Sequence, residues 1–297
     1  MRYATEAAFR AALEARLLNL AGPNNNKQLV RFRKMVAYER LLARLAVVAP
    51  DQWIVKGGPA LEFRYGDRSR TTVDLDLGVP MSTSTLTELL VDAGRLNLAD
   101  YFQYIVDRTQ SLAFQDDVDV ARYRITVLLD GRRFEQIAID VGSGHLPDAC
   151  DSIQTSNLLE FAGFEPMLVP TIPLAVHVAE KLHAYTRQYG EGRQSTRVKD
   201  LIDIVLIASL SSFELGPLRA AIHATFASRE VQSIPLRLPP PGEHWRRPYA
   251  LLAREVGLAE DLDDGYRASA VFLDPVLDAS PQTGKRWDPV RLAWLPK

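Results

Sequence analysis

The chain has 297 residues, 47% of them hydrophobic and 24% charged, with 35 Lys and Arg against 37 Asp and Glu. That apolar content and a formal charge of -2 exclude a disordered chain and a globally basic nucleic-acid coat, but not a local basic face. The single Cys150 excludes an internal disulfide and a cysteine-rich zinc module, and no run approaches the roughly 18 apolar residues of a membrane span.

In chain order, Phe9, Leu13, Leu17 and Leu20 predict an amphipathic opening helix. Glu6, Arg10, Glu14 and Arg16 lie among them, where a signal peptide would be uncharged, so a reduced, cytoplasmic protein is expected. After the break at Gly22-Pro23-Asn24-Asn25-Asn26, Leu29 to Leu45 is predicted helical, with Lys27, Arg31, Arg33, Lys34, Arg40 and Arg44 outside. Trp53-Ile54-Val55 reads as a short strand running into Lys56-Gly57-Gly58-Pro59, then one or two helical turns over 60–65. Val73 to Val79 reads as a strand, with Asp74 and Asp76 on one face and Leu75 and Leu77 on the other. Residues 82–85 cap a helix over 86–92.

Tyr123 to Leu129 and Phe134 to Val141 predict a hairpin about Asp130-Gly131-Arg132, with Asp140 on the face away from Ile137, Ile139 and Val141. Beyond Pro173 the pattern is helical over 174–188, 198–210, 245–255 and 261–272. The expected organisation is an α/β domain over 1–165 and a mostly helical domain over 166–297.

The chemistry concentrates in Lys56-Gly57-Gly58 and in Arg70-Thr71-Thr72-Val73-Asp74-Leu75-Asp76. Carboxylates at i and i+2 on a strand point the same way and repel. A hard dication removes that cost, and Mg²⁺ suits carboxylates combined with substrate phosphates. The glycine pair lets backbone N–H groups approach phosphates. Alone, an Asp-x-Asp is common and reads equally as two solvated residues at a strand edge. Asp140, inside an apolar run, adds a third carboxylate that calls for a partner or a metal. Three such groups from adjacent strands can hold two Mg²⁺ ions.

Lys181 and Asp203 are charges in otherwise apolar helices. An inter-helix salt bridge would satisfy both and would still let the lysine face a triphosphate. His177 and His183 are six apart, lack the i, i+4 spacing of a metal helix, and read as packing residues.

Gly57-Gly58, Arg70-x-Thr72-x-Asp74-x-Asp76 and Asp140 together resemble the minimal nucleotidyltransferase fold of the polymerase-β superfamily. Lys181 in Glu180-Lys181-Leu182-His183-Ala184, then Arg197-x-Lys199-Asp200-x-x-Asp203, resemble the AbiEii nucleotidyltransferase toxins, including the mycobacterial MenT group. Trp245…Tyr249 and Phe272-Leu273-Asp274-Pro275-Val276-Leu277 add to the resemblance, which spans nearly the whole chain.

It implies an N-terminal nucleotidyltransferase-like mixed sheet with flanking helices, and a helical domain completing the active-site cleft. It implies a Mg²⁺-dependent toxin, paired with an AbiEi-type antitoxin, that moves a nucleotide from an NTP to the 3′ end of tRNA and blocks translation. Asp74, Asp76 and Asp140 would be metal ligands, Asp140 also the candidate general base. Lys181 and Asp203 would contact the triphosphate. Lys56, Gly57, Gly58, Arg70, Thr72 and Lys199 would line the nucleotide site. Thr72 holds the place of a hydroxyl that some relatives phosphorylate as an inhibitory switch.

Two other readings stand beside this one: transfer to a small molecule or a protein hydroxyl, and a nucleotide- or antitoxin-binding module without turnover. The mutually repelling carboxylates argue against the last. The oligomeric state stays open, and a monomer is compatible with the sequence. Residues 27–44 carry six Lys or Arg and one acid, a local +5 that leaves -7 for the rest. Arg31, Arg33 and Lys34 are therefore expected to receive RNA phosphates from a helix bordering the carboxylates. A helix on the opposite face from Asp74 would overturn that expectation.

Overall fold

The computed structural model describes residues 2–112, 120–144, 146–187, 197–229, 232–278 and 284–297, without the side chains of 83, 84 and 108–112. The chain divides into two compact units: Met1–Gly66 with Thr71–Ile172, and Asp67–Arg70 with Pro173–Lys297.

In the first unit, helix α1 (Glu6–Ala21) is capped by the Thr5 hydroxyl and buries Phe9, Leu13 and Leu17. Helix α2 (Asn26–Val48) is capped by Asn25 and buries Met35, Val36, Leu41, Leu42 and Leu45. Between them and the rest lie strand β1 (Ile54–Lys56), helix α3 (Gly57–Tyr65), strand β2 (Asp74–Val79) and helix α4 (Thr83–Arg95). Strands β3 (Phe102–Leu112), β4 (Val120–Leu129), β5 (Arg132–Ser143), β6 (Asp151–Gln154) and β7 (Leu168–Thr171) complete a seven-stranded sheet of order β3-β4-β5-β2-β1-β7-β6.

The sheet is mixed, as the resemblance implied: β2 runs parallel to β5 and β1 to β7, and the other neighbours are antiparallel. Alternation along the central strands divides its two faces. Leu75, Leu77, Tyr123, Ile125, Val127, Ile137, Ile139 and Val141 form the buried inner face. Asp74, Asp76, Arg122 and Asp140 lie on the outer face, at intermediate burial.

Helix α2 packs beneath the inner face, where Tyr104 on β3 donates to the Ala37 carbonyl at 2.8 Å. The expected outer row of basic residues is largely a row of buried struts. Arg31 pairs with Glu62 at 2.6 Å, Arg40 with Asp100 at 2.7 Å, and Arg44 with Asp100 at 2.7 Å with both side chains fully enclosed. A charge run reads as a solvated face only when its carboxylate partners are near in sequence, and these partners are 31 to 60 residues away.

In the second unit, helices α5 (Leu174–Thr186), α6 (Val198–Leu210), α7 (Leu215–Arg229), α8 (Arg246–Val256) and α9 (Leu262–Leu277) precede a small antiparallel pair, β8 (Lys285–Asp288) and β9 (Ala293–Pro296). α5 packs on α6 and α7, and α6 on α8 and α9. Phe272, Trp287 and Trp294 cluster at its base, with Trp287 donating to the Ala208 carbonyl. His177 and His183 are buried packing residues, His183 lying edge-on to Phe226. Among the described residues no helix is long and apolar enough to cross a membrane.

Candidate active site

Asp74 and Asp76 open β2, and the parallel pairing sets Asp76 directly opposite Asp140 on β5. Residues two apart on one strand, and residues in register on its neighbour, share a face. The topology thus delivers the three predicted carboxylates to one patch of the outer face. Lys56, directly opposite Asp76 on β1, is on this face too, and its aliphatic stem lies across Gly78.

The glycine pair opens α3. Gly57 has φ +57°, a conformation that side chains disfavour, and a Cβ there would land on the Asp76 carboxylate, 2.7 Å from its Cγ. The helix has no side-chain cap at Lys56, which leaves the N–H groups of its first turn to bind an anion. Behind it, Thr72 donates to Glu62 at 2.7 Å, and Arg31 bridges Glu62 to the Gly66 carbonyl. These bonds tie α2, α3 and the approach to β2 into one buried strap, and the Thr72 hydroxyl is enclosed within it.

Sequence reasoning missed Arg122. Its Nε donates to Asp140 Oδ1 at 2.6 Å, and its Nη2 to Asp140 Oδ2 at 2.5 Å and to Asp74 Oδ2 at 3.3 Å. Hydrogen bonding to Asp140 raises the guanidinium's already high pKa further. Asp140, expected to need a partner or a metal, has Arg122 as its partner, and its side chain is 21% exposed.

Oxygen-only donors in register suit a hard dication such as Mg²⁺. Among the described residues, however, no three acidic, His or Cys side chains are gathered as a ready cation cage. The donors fit; a guanidinium currently spans two of them.

The second unit gathers the other predicted charges. Lys181 on α5 meets Asp203 at 2.8 Å and Asp200 at 3.1 Å, both on α6. Arg70 grips Asp203 through Nε at 2.9 Å and Nη2 at 3.0 Å, and Arg197 meets Asp200 at 2.7 Å. The expected Lys181–Asp203 bridge is present, enlarged by Asp200, Arg70 and Arg197. Burial alone would raise the Asp203 pKa, but Lys181 and Arg70 overcome it and hold the group at about 2. Burial would likewise lower that of Lys181, and Asp203 with Asp200 raises it. Both oxygens of Asp203 are engaged, so its work here is to fix two cations. Lys199 is exposed one residue away from Asp200.

The helix expected to border the carboxylates does not. α2 underlies the inner face, opposite Asp74, because its apolar flank is what the sheet buries. At its edge Lys34 and Tyr38 donate to the Val73 carbonyl at 2.8 and 3.0 Å, beside Asp74. Arg33 pairs with Glu14, and Arg31 is spent on Glu62.

A mixed sheet with this strand order, a glycine-opened helix beside an Asp-x-Asp strand and a helical companion unit has the nucleotidyltransferase fold. The chain belongs to the AbiEii family of nucleotidyl transferase toxins of type IV toxin–antitoxin systems, whose model matches residues 40–278. It is similar in fold to MenT4, a nucleotidyltransferase toxin of Mycobacterium tuberculosis H37Rv, with 18% identity, 90% of this chain and 97% of that one covered, and a TM-score of 0.55. JHP933 of Helicobacter pylori aligns more distantly, at 14% identity over 82% of this chain and 90% of that one with a TM-score of 0.43. A putative nucleotidyltransferase of H. pylori gives 14%, 82%, 93% and 0.42. No curated protein matches at the sequence level.

Proposed function

We propose that the chain transfers a nucleotide from an NTP to the 3′ end of tRNA, releasing pyrophosphate and halting translation, and that an AbiEi-type antitoxin restrains it. Such an acceptor would place the activity in the cytoplasm. The observation that carries the reading is the register of Asp74, Asp76 and Asp140 on one sheet face beside the open N-terminus of α3.

In this reading the N–H groups of Gly57 and Gly58 hold phosphate oxygens, and Asp74 and Asp76 would hold the dication. Asp140 accepts the proton of the attacking hydroxyl. Mg²⁺, held by the three carboxylates, would supply charge neutralisation of the triphosphate and of the leaving pyrophosphate. In the helical unit Lys181 and Arg70, fixed by Asp203 and Asp200, would be phosphate-binding charges, with Lys199 as an outer one. Phosphorylation at Thr72 would set new charge against Glu62 and beside Asp74, and so act as an off-switch.

The test incubates the protein with Mg²⁺, each labelled NTP in turn and total RNA. Label on a tRNA-sized band, lost in Asp74→Ala, is the expected result. Label confined to a small molecule or to protein would transfer the proposal to that acceptor.

A further inference from the structure

We propose that Arg122 is the resident counter-cation of the carboxylate trio, occupying the dication's place in the empty enzyme and opposing metal entry until it releases Asp140 and Asp74. The inference rests on the nucleotidyltransferase reading for the identity of the metal ligands.

The geometry of Arg122 differs from that of the unit's structural ion pairs. Arg44–Asp100 has both side chains at 0% exposure, and Arg31–Glu62 has 7% and 3%. Arg122 is 41% exposed while it forks onto Asp140 and reaches Asp74. An exposed guanidinium can swing into water without leaving a buried charge behind, which a buried strut cannot do. Three carboxylates against Arg122 and Lys56, which stands opposite Asp76, leave a net negative charge on the patch that attracts a dication, but Arg122 already holds both oxygens of Asp140 and one of Asp74.

A local irregularity puts Arg122 there. The turn pairs Leu129 with Arg132 and Leu128 with Arg133, but the next pair is Val127 with Glu135, so Phe134 is an extra residue on β5. Continued without that bulge, the ladder would set Arg122 opposite Ile139, out of phase with the core. With it, Arg122 stands opposite Asp140.

The consequence is a coupling. A dication arriving alone must displace Arg122 into solvent. A dication arriving with a polyphosphate brings oxygens that the released guanidinium can hold, so metal and nucleotide favour each other's entry.

The experiment titrates the full chain with Mn²⁺ alone, without nucleotide, by electron paramagnetic resonance and calorimetry. Arg122→Gln should bind Mn²⁺ about tenfold tighter than wild type. Arg122→Lys, which keeps the charge but loses the fork, should fall between them and covers the case in which the glutamine variant does not fold. Arg124→Gln, two residues along the same face, controls for loss of charge alone and should change affinity by less than about twofold. Asp74→Asn in the Arg122→Gln background should abolish the gain.

Affinity in Arg122→Gln that is unchanged, weaker or undetectable overturns the proposal, as does an equal gain in Arg124→Gln. If wild type labels no acceptor while Arg122→Gln still gains Mn²⁺ affinity, the proposed function falls and the role of Arg122 stands.

Discussion

Gly57 and Asp76 share a space that admits only one of their side chains: a methyl group on Gly57 would stand where the Asp76 carboxylate lies. Gly57→Ala therefore acts twice, through a positive φ that costs about 1–2 kcal/mol and through displacement of the Asp76 carboxylate. Misplacing a reacting group by about 1 Å can cost about 100-fold in rate. The expected outcome is a folded protein whose nucleotide transfer falls by about that factor, measured as label incorporated per minute beside a thermal melt.

Asp203 should dominate acid stability in the helical unit. Its folded pKa of about 2 lies below the ordinary 3.8. A depressed carboxyl stabilises the fold fully above its unfolded value, and the contribution is lost as pH falls from 3.8 toward 2. Asp203→Asn should flatten that limb of the stability profile and remove about 2 kcal/mol at pH 7. Asp203→Ala, which also strands Lys181 and Arg70, should cost about 3–5 kcal/mol. Urea unfolding between pH 2 and 7 measures both.

Glu39 should act with the opposite sign. Burial raises its carboxyl to about 7, against the lowering pull of the Ser156 N–H. A raised acid stabilises below its unfolded pKa of 4.5, and the contribution disappears as pH rises through 7. Glu39→Gln should stabilise the protein by about 3 kcal/mol at pH 8 and leave it little changed at pH 4. Melting temperatures across that interval decide the matter.

Thr72 should respond to loss of its hydroxyl without loss of shape. Thr72→Val leaves Glu62 with Arg31 but without the 2.7 Å donor. The expected destabilisation is about 1–2 kcal/mol, visible in chemical unfolding. Mass spectrometry after co-expression with the antitoxin tests the switch itself, and an unmodified Thr72 under those conditions removes it.

What the sequence made legible is what short-range periodicity encodes. The alternation in Asp74-Leu75-Asp76-Leu77 and in Ile137-Ala138-Ile139-Asp140-Val141 placed the carboxylates on the outer face, and the glycine pair marked the helix opening. The hairpin was legible at its turn, but the bulge at Phe134 was not, and the bulge decides whether Arg122 meets Asp140. The fates of Arg31, Arg40 and Arg44 were hidden because Glu62 and Asp100 are brought to them by tertiary packing. β3 and α7 escaped notice: Gln103, Asp107, Arg108 and Gln110 interrupt one apolar pattern, and the alanine-rich turns of Leu215–Arg229 dilute the other.

The four residues Asp67–Arg70 belong by packing to the helical unit although they sit within the sequence of the sheet unit. The polypeptide therefore passes from one unit to the other three times. A gene cut after codon 172 would part Arg70 from Asp203 and would yield a sheet fragment carrying a stranded guanidinium and a helical fragment missing a clasp. The two units are stitched rather than strung, so in evolution they are expected to be inherited, duplicated and lost as one piece.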